Sequence, residues 1–228
     1  MPHPSFCRSI PVVERVFPHD PVERWMTAQL GGASSSREAL LDAVGTTLRK
    51  DGIAKLSLRA VAREAGYSHG APGALFGDRA GMLSAYAARG FERLATALEA
   101  ADAAHDDPRE ALAAIGRAYV GFALQERDCF ALMFRDELLR GDLPELMKAR
   151  QRAWSALSSA LHRAQGRGQL DAKQAELVQI GAWSLVHGLS KLLASGSLQL
   201  RLDSGGPDPE VLARALTRLY ADSVLRAP

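Results

Sequence analysis

The sequence predicts an all-α protein, and three observations lead to that prediction. From Ser34 onward, apolar residues recur at spacings of three and four, which is the period of an amphipathic helix. Strand-like alternation never lasts, and β-branched residues are sparse. Capping residues and glycines divide the pattern into segments of helical length. The 228 residues suit one large domain, or a small module fused to a medium one.

The N-terminal segment lacks this periodicity. Residues 1–33 are rich in proline, contain no continuous apolar run of the kind a secretory signal needs, and end at Gly31-Gly32. We expect a poorly ordered extension, within which Met26 is as good a start as Met1. The most apolar stretch, from Leu177 to Leu200, is interrupted by polar residues, so we predict a buried helix and no membrane partner.

Four helices are predicted in the first half of the chain. The first has Ser35 as its N-cap and Glu38 three residues later, a capping box, and it ends at Gly52. Each later start carries a side chain that can accept hydrogen bonds from the free N–H groups of a first helical turn. These helices are expected from Ser57 to Gly66, from Ser68 to about Phe76, and from Asp78 to about Ala103.

Longer helices are predicted in the second half. The clearest start is Asp107-Pro108, which combines an N-cap with proline at the first helical position and opens an apolar face that includes Tyr119 and Phe122. The remaining segments are Cys129 to Phe134, Leu143 to about Gln165, Ala172 to Ala194, and Asp208 to Leu225. The predicted architecture is a three-helix N-terminal module followed by a C-terminal helical bundle.

Enzyme chemistry has little support in the sequence. The six histidines never pair at helical ligand spacing, and Cys7 and Cys129 have no second cysteine nearby. The phosphate-binding, dinucleotide-binding and nucleophile-elbow motifs are absent. We therefore expect no catalytic residues, no metal and no cofactor, and a reducing cytoplasm as the compartment.

The most informative stretch is Ser57–Phe76, SLRAVAREAGYSHGAPGALF. A helix of about nine residues, a three-residue turn led by Gly66 and a second capped helix have the spacing of a helix-turn-helix. Gly66 can adopt the positive φ that reverses the chain, and Ala62 is small enough for close helix packing. The second helix would enter a major groove of DNA, with free N–H groups at both helix starts facing phosphates. The plain alternative is a helical hairpin without a DNA role.

Ser36 to about Leu94 resembles the DNA-binding domain of the tetracycline-repressor (TetR) family of bacterial transcription regulators. The match rests on Asp51-Gly52, the Ser-Leu-Arg helix start, Ala65-Gly66, Phe76 and Asp78-Arg79 at fixed offsets. The resemblance implies a DNA-binding domain over residues 34–94 and an effector-binding and dimerisation domain over 95–228. AWSLVHGLSKLL, with Trp183, His187 and Gly188, is similar to the Trp-His-Gly signature of one C-terminal subclass.

The recognition helix departs from this family. Where relatives have Tyr-His-His or Tyr-Arg-His, this chain has Gly73-Ala74-Leu75. Base readout must then depend on His69, on apolar contacts and on DNA shape. The predicted DNA contacts are Ser57, Arg59, Ser68, His69, Gly70, Ala71, Gly73, Ala74 and Arg79. An alternative reading is a TetR-like helical protein that binds a small molecule and has weakened or lost DNA binding.

The resemblance also implies a homodimer on a near-palindromic DNA operator, released by a small apolar effector. We expect the dimer contact on the helices of residues 172–194 and 208–225, whose leucine rows exceed what a monomer must bury. Bound to its operator, the cytoplasmic protein would lie on the nucleoid. The predicted effector-binding residues are Tyr119, Phe122, Met133, Phe134, Trp154, Trp183 and His187. Each of them could instead fill the core.

Overall fold

The computed structural model describes residues 21–198 and 205–226, with side chains from residue 35 onward. Every regular element within these ranges is a helix, which confirms the all-α prediction. The α-helices are α1 (Pro21–Asp51), α2 (Leu58–Ala65), α3 (Ala71–Phe76), α4 (Arg79–Ala103), α5 (Pro108–Gln125), α6 (Arg127–Met133), α7 (Pro144–Gly166), α8 (Ala175–Ala194) and α9 (Pro209–Val224). Short 3-10 turns cover Ile53–Lys55, Asp136–Leu138 and Ala172–Gln174.

The first helix is longer than the sequence predicts. It begins at Pro21 and continues through Gly31-Gly32 and Ser35, so Ser35 is not its N-cap. Glycine and serine lower helix propensity without preventing a helix. Gly31-Gly32 and Ser35 therefore do not mark the start of α1, although the sequence predicted that they would. Residues 1–20 of the predicted extension lie outside the described residues. The chain divides into two compact units, Met1–Glu38 and Ala39–Pro228, and every site discussed below belongs to the second.

Side-chain caps begin several helices where the sequence places them. Ser57 Oγ accepts a hydrogen bond from Ala60 N at 3.2 Å at the start of α2. Asp78 Oδ1 accepts one from Gly81 N at 2.8 Å at the start of α4. Asp107 accepts two from the first turn of α5. Caps of this kind satisfy N–H groups that have no partner inside the helix.

A single apolar core joins the small helices to the large ones. Leu40 of α1, Phe76 of α3 and Leu94 of α4 belong to the same buried cluster. The core is largely aliphatic, with α4 packed against α5 and α7, and α5 against α8 and α9. The predicted domain boundary after residue 94 lies inside α4. This helix therefore belongs both to the N-terminal module and to the C-terminal bundle.

Candidate DNA-binding surface and effector cavity

The turn of the helix-turn-helix has the predicted geometry. Gly66 ends α2 with φ of +72°, in the left-handed region that glycine reaches at little cost. Tyr67 N donates to Ala62 O at 2.9 Å, which closes the end of α2. Ala62 is fully buried, as expected for a small residue at a helix crossing. These contacts confirm the predicted reversal between α2 and α3.

The recognition helix begins later than predicted. Ser68 is not its N-cap: α3 starts at Ala71 with Gly70 as the cap, and Ser68 O accepts from Ala71 N at 3.0 Å in the preceding turn. Pro72 explains the shift. A helix capped at Ser68 would need the N–H of residue 72 for its first hydrogen bond, and proline has none. At the second position of α3 the missing N–H costs nothing.

The open face of α3 has no side chain that can form a hydrogen bond. Pro72 and Phe76 are buried, whereas Ala74 and Leu75 are exposed. A Cβ added to Gly73 would meet no atom within 4 Å. Polar groups are supplied by α2 and the turns, where the predicted contacts Ser57, Arg59, Ser68, His69 and Gly70 are exposed and Ala71 and Gly73 are half-buried. Lys55 and Tyr67 are also exposed in the segments before α2 and α3, and neither was among the predicted contacts.

Arg79 has a positioning role that the sequence did not predict. Its Nε donates to Leu56 O at 2.7 Å and its Nη2 to Ile53 O at 2.8 Å. The guanidinium thus holds the turn before α2 against the start of α4. Two of its nitrogens are therefore used inside the protein, and the predicted phosphate contact of Arg79 stays a prediction. The matching signal in sequence, a cation at the start of the connecting helix, cannot distinguish the two.

A close approach joins α3 to α4. A Cβ built on Gly81 would lie 2.1 Å from Phe76 O, closer than any side chain permits. The Gly81 N–H donates to Asp78, and this hydrogen bond is the main reason that the pKa of the Asp78 carboxyl lies below its ordinary value. Gly81 therefore allows the sharp connection that places α3 relative to α4.

The connection between α6 and α7 also contacts α4. Arg140 N donates to Ser84 Oγ at 2.7 Å, and the Arg140 guanidinium pairs with Asp78. Ser84 is fully buried and its hydroxyl donates to Ala80 O at 2.8 Å. Arg140 thus fastens the α6–α7 connection to the first turns of α4.

A cavity of about 490 Å³ lies in the C-terminal bundle. It is the size of a small-molecule site and has a mainly apolar wall. Helix α4 supplies Phe91, Leu94 and Leu98 to that wall. The other helices supply residues that include Leu112, Ile115, Gly116 and Tyr119 of α5, Trp154 and Leu157 of α7, Trp183 and Val186 of α8, and Thr217 and Tyr220 of α9.

The structure brings four of the seven predicted effector-binding residues to this cavity: Tyr119, Phe134, Trp154 and Trp183. Phe122, Met133 and His187 do not line it. Phe122 and Met133 are buried in the core, and Met133 packs against α4 where Gly90 leaves room for its sulfur. Aromatic residues at helical spacing predict burial, but they do not reveal which side of the helix faces empty space.

His187 lies one layer behind the cavity wall. Its Nδ1 is 2.9 Å from the Tyr119 hydroxyl, and its ring stacks on Trp183 with 5.3 Å between centroids. Burial lowers the pKa of His187, and Lys191 lowers it further. A neutral imidazole can accept the Tyr119 hydrogen bond. His187 therefore orients two wall residues without touching the cavity.

The α4 part of the wall was missed by the sequence analysis, because Phe91, Leu94 and Leu98 read as ordinary core residues. Arg150 and Asp136 were missed as well, since charged residues give no apolar signal. The spacing of Phe91, Leu94 and Leu98 along one stripe could have suggested a shared surface, although not a cavity.

Several solved structures have similar folds. A protein of unknown function from Rhodococcus sp. RHA1 is 33% identical, with a TM-score of 0.73 over 84% of this chain and 96% of that one. A regulatory protein of the TetR family from Rhodococcus RHA1 is 18% identical, with a TM-score of 0.65 over 85% and 98%. A TetR-family transcription regulator from Marinobacter aquaeolei VT8 has the same identity and TM-score over 85% and 97%. No curated protein matches the sequence.

A helix-turn-helix joined by one helix to a helical bundle is the fold of TetR-family transcription regulators, and this chain has that fold. Residues 112–220 match the family described as tetracyclin repressor-like, C-terminal domain. The match does not extend to the Trp-His-Gly subclass, which stays a prediction. The solved neighbours with assigned roles quoted above are regulators rather than enzymes.

Proposed function

We propose that the protein is a cytoplasmic transcriptional repressor that leaves its DNA operator when a small apolar effector fills the C-terminal cavity. One observation carries the proposal. The cavity wall includes Phe91, Leu94 and Leu98 of α4, and the same helix begins at Arg79, three residues after α3 ends at Phe76. A ligand that presses on this wall acts on the helix that positions the recognition helix.

The energetics of such a switch are modest. A ligand can release DNA only if it binds the DNA-free conformation more tightly than the DNA-bound one. A tenfold loss of DNA affinity requires about 1.4 kcal/mol of difference between the two conformations. Shifting one packed helix alters many apolar contacts, each buried methylene contributing about 0.8 kcal/mol. A small tilt of α4 is sufficient.

Dimerisation is supported by an apolar stripe on α8 and α9. Leu177 and Ile180 on α8 are 69% and 43% exposed, and Val211 and Leu219 on α9 are 55% and 66% exposed. Gly188 faces open space, whereas Gly181 packs against the Tyr220 hydroxyl of α9 within the same chain. Patches of this kind mark protein contacts. We infer that two copies pair through this stripe and present their α3 helices to a near-palindromic operator.

The stripe is also relevant to whether α8 spans a membrane. By length and composition alone, residues Ala172–Ala194 could span a membrane, with a mean hydropathy of 1.2. Within the described residues this helix packs against α5, α7 and α9. A second copy covering Leu177 and Ile180 accounts for the remaining apolar surface without a bilayer.

The dimer is tested by Ile180→Arg, which places a charge in the proposed contact. We expect light scattering at micromolar concentration to return a monomer, and DNA affinity to fall at least tenfold because one α3 must then bind alone. Ser155→Arg, on exposed α7 surface outside the stripe, is the matched control and should remain a dimer. A wild-type monomer would contradict the proposal.

The switch is tested on DNA and ligand together. The DNA flanking the gene of this protein, labelled for fluorescence anisotropy, measures operator affinity at two salt concentrations. Apolar compounds are screened by the fluorescence of Trp154 and Trp183, whose rings stand 6.2 Å apart at the cavity wall. We expect compounds that change this fluorescence to weaken DNA binding. Compounds that bind the cavity and leave DNA affinity unchanged would refute the switch.

The composition of α3 favours a second candidate. Its six residues, Ala71–Phe76, include no hydrogen-bonding side chain. A helical ligand-binding protein with lost DNA binding would look the same. Specific binding that weakens steeply with salt supports the repressor, whereas salt-sensitive binding without sequence preference supports this alternative.

A further inference from the structure

The cavity has one charged end. Among the described residues that line it, Arg150 of α7 and Asp136 of the α6–α7 connection are the charged ones. The remainder of the wall is uncharged and largely aromatic or aliphatic. An apolar cavity with a single cation–anion pair at its edge has the form of a site for an amphiphilic molecule.

The guanidinium of Arg150 is held beside the cavity with donors to spare. Its central carbon lies 5.4 Å from the ring centroid of Phe91, a buried wall residue. Its Nη2 pairs with Asp136 Oδ1, and within the described part of the chain no other acceptor binds this guanidinium. Gly141 adds no side chain at this point of the wall: a Cβ built on it would lie 4.0 Å from Arg150 Nη1. A guanidinium has five N–H groups, so donors remain for a ligand after the one bond to Asp136.

The pair between Arg150 and Asp136 is easy to exchange. The Asp136 side chain is 78% exposed and the Arg150 side chain 30% exposed. An ion pair with so exposed a partner contributes at most about 1 kcal/mol, because water and salt screen it. A carboxylate attached to an apolar body gains the same contact together with burial of that body. It can therefore displace Asp136.

We propose that the effector is an acidic amphiphile, with an apolar body in the cavity and a carboxylate bound to Arg150 in place of Asp136. This inference rests on the proposed function, since it names the ligand class of the same cavity. Arginine presents a planar fork of N–H donors that fits a carboxylate with two parallel hydrogen bonds. A cationic amphiphile would face Arg150 with like charge, and a neutral one would leave the pair intact.

The test compares acids with their alcohols. Decanoate and 1-decanol share an aliphatic body, and 2-naphthoate and 2-naphthalenemethanol share an aromatic one. Binding is followed by the fluorescence of Trp154 and Trp183. In the wild type we expect at least one acid to bind about tenfold more tightly than its alcohol, equivalent to about 1.4 kcal/mol. The preferred pair shows whether the body is aliphatic or aromatic.

Variants assign the preference to the charged end. Arg150→Gln should abolish the preference for the acid, and Arg150→Lys should restore part of it. Asp136→Asn removes the internal competitor and should strengthen acid binding more than alcohol binding. Lys148→Gln, an exposed charge two residues away that does not line the cavity, is the control for net charge and should bind like the wild type.

The outcomes separate this inference from the proposed switch. Equal binding of acid and alcohol, or a preference that survives Arg150→Gln, overturns the inference even if both ligands release DNA. An Arg150-dependent preference supports the inference even if DNA stays bound, and in that case it is the switch that fails.

Discussion

The helix-turn-helix and the cavity are built by different means. In the helix-turn-helix, contacts with backbone groups hold the geometry: Ser57 caps α2, Arg79 binds two carbonyls, and Gly81 lets Phe76 O approach α4. In the cavity, large side chains hold the walls apart, with Trp154 and Trp183 packed edge to face. The first region tolerates few backbone changes, whereas the second tolerates many side-chain changes that alter its shape.

The contrast is also one of chemistry. The exposed surface of α3 offers small residues and Leu75, so affinity for DNA must come from cations such as Arg59 and from free N–H groups. The cavity offers aromatic rings and one available guanidinium. In the proposed function, specificity for DNA would depend on the position of α3, and specificity for the ligand on the identity of the wall side chains.

The largest effect is expected for Gly81→Ala. The new methyl group would lie 2.1 Å from Phe76 O, and relief requires the backbone of α3 or α4 to move. We expect unfolding free energy to fall by about 3 kcal/mol and DNA affinity to fall more than tenfold. Urea denaturation and anisotropy measure both. Gly73→Ala, on the open face of α3, should instead be as stable as the wild type. A Gly81→Ala variant with wild-type stability and DNA affinity would contradict the close approach between α3 and α4.

Substitutions at two arginines should distinguish a residue that positions the helix-turn-helix from one that contacts phosphate. Arg79→Gln removes the charged donors to Leu56 O and Ile53 O, so we expect about 2 kcal/mol of lost stability and weaker DNA binding with an unchanged salt slope. Arg59→Ala on exposed α2 should leave the melting temperature unchanged and reduce the salt slope by about one. If Arg79→Gln lowers the salt slope at full stability, Arg79 contacts phosphate after all.

A matched glycine pair on α5 probes the cavity region. A Cβ on Gly116 would lie 2.6 Å from Thr217 Cγ2, and the Thr217 hydroxyl is bound to Ala213 O at 2.8 Å. Gly116→Ala should therefore cost about 1–2 kcal/mol and push α9 away from the cavity. A Cβ on Gly121 meets nothing within 4 Å, so Gly121→Ala should stabilise the protein by about 0.5–1 kcal/mol. Thermal melts that rank the two the other way would refute this packing.

The smallest effect concerns pH. Burial lowers the pKa of His187 in the folded protein, so the unfolded chain binds the proton first as the pH falls. The contribution of neutral His187 is complete above the unfolded pKa of about 6.5 and is lost as the pH drops toward the folded value. His187→Gln should flatten stability between pH 7 and 5, measured by denaturant titration. An identical pH profile in both proteins would show that His187 titrates without effect on the fold.

The sequence predicted the helices well because their signals are local. Ser57, Asp78 and Asp107 accept hydrogen bonds from neighbouring N–H groups, Gly66 ends α2 through its positive φ, and each marks a helix end as predicted. Where a second local signal competes, prediction fails, as when Pro72 overrides the cap at Ser68.

Prediction of the cavity failed for a different reason. Phe122 and Met133 follow the same apolar pattern as Phe134, although only Phe134 lines the cavity. A void depends on how several helices meet, and hydrophobic spacing along one helix carries no record of that.

In the proposed switch, the hydrogen bond between Arg140 and Ser84 would make Ser84 the point about which α4 turns. Helix rise of 1.5 Å per residue puts Leu94 about 15 Å from Ser84 and Asp78 about 9 Å away on the other side. A rigid rod pivoting at Ser84 would convert a 1 Å push at Leu94 into about 0.6 Å of opposite travel at Asp78. The displacement at Asp78 is therefore smaller than the displacement at Leu94, and the force there is correspondingly larger. A ligand that fits tightly would displace α3 by a fixed small distance, and a ligand that fits loosely would displace it by less.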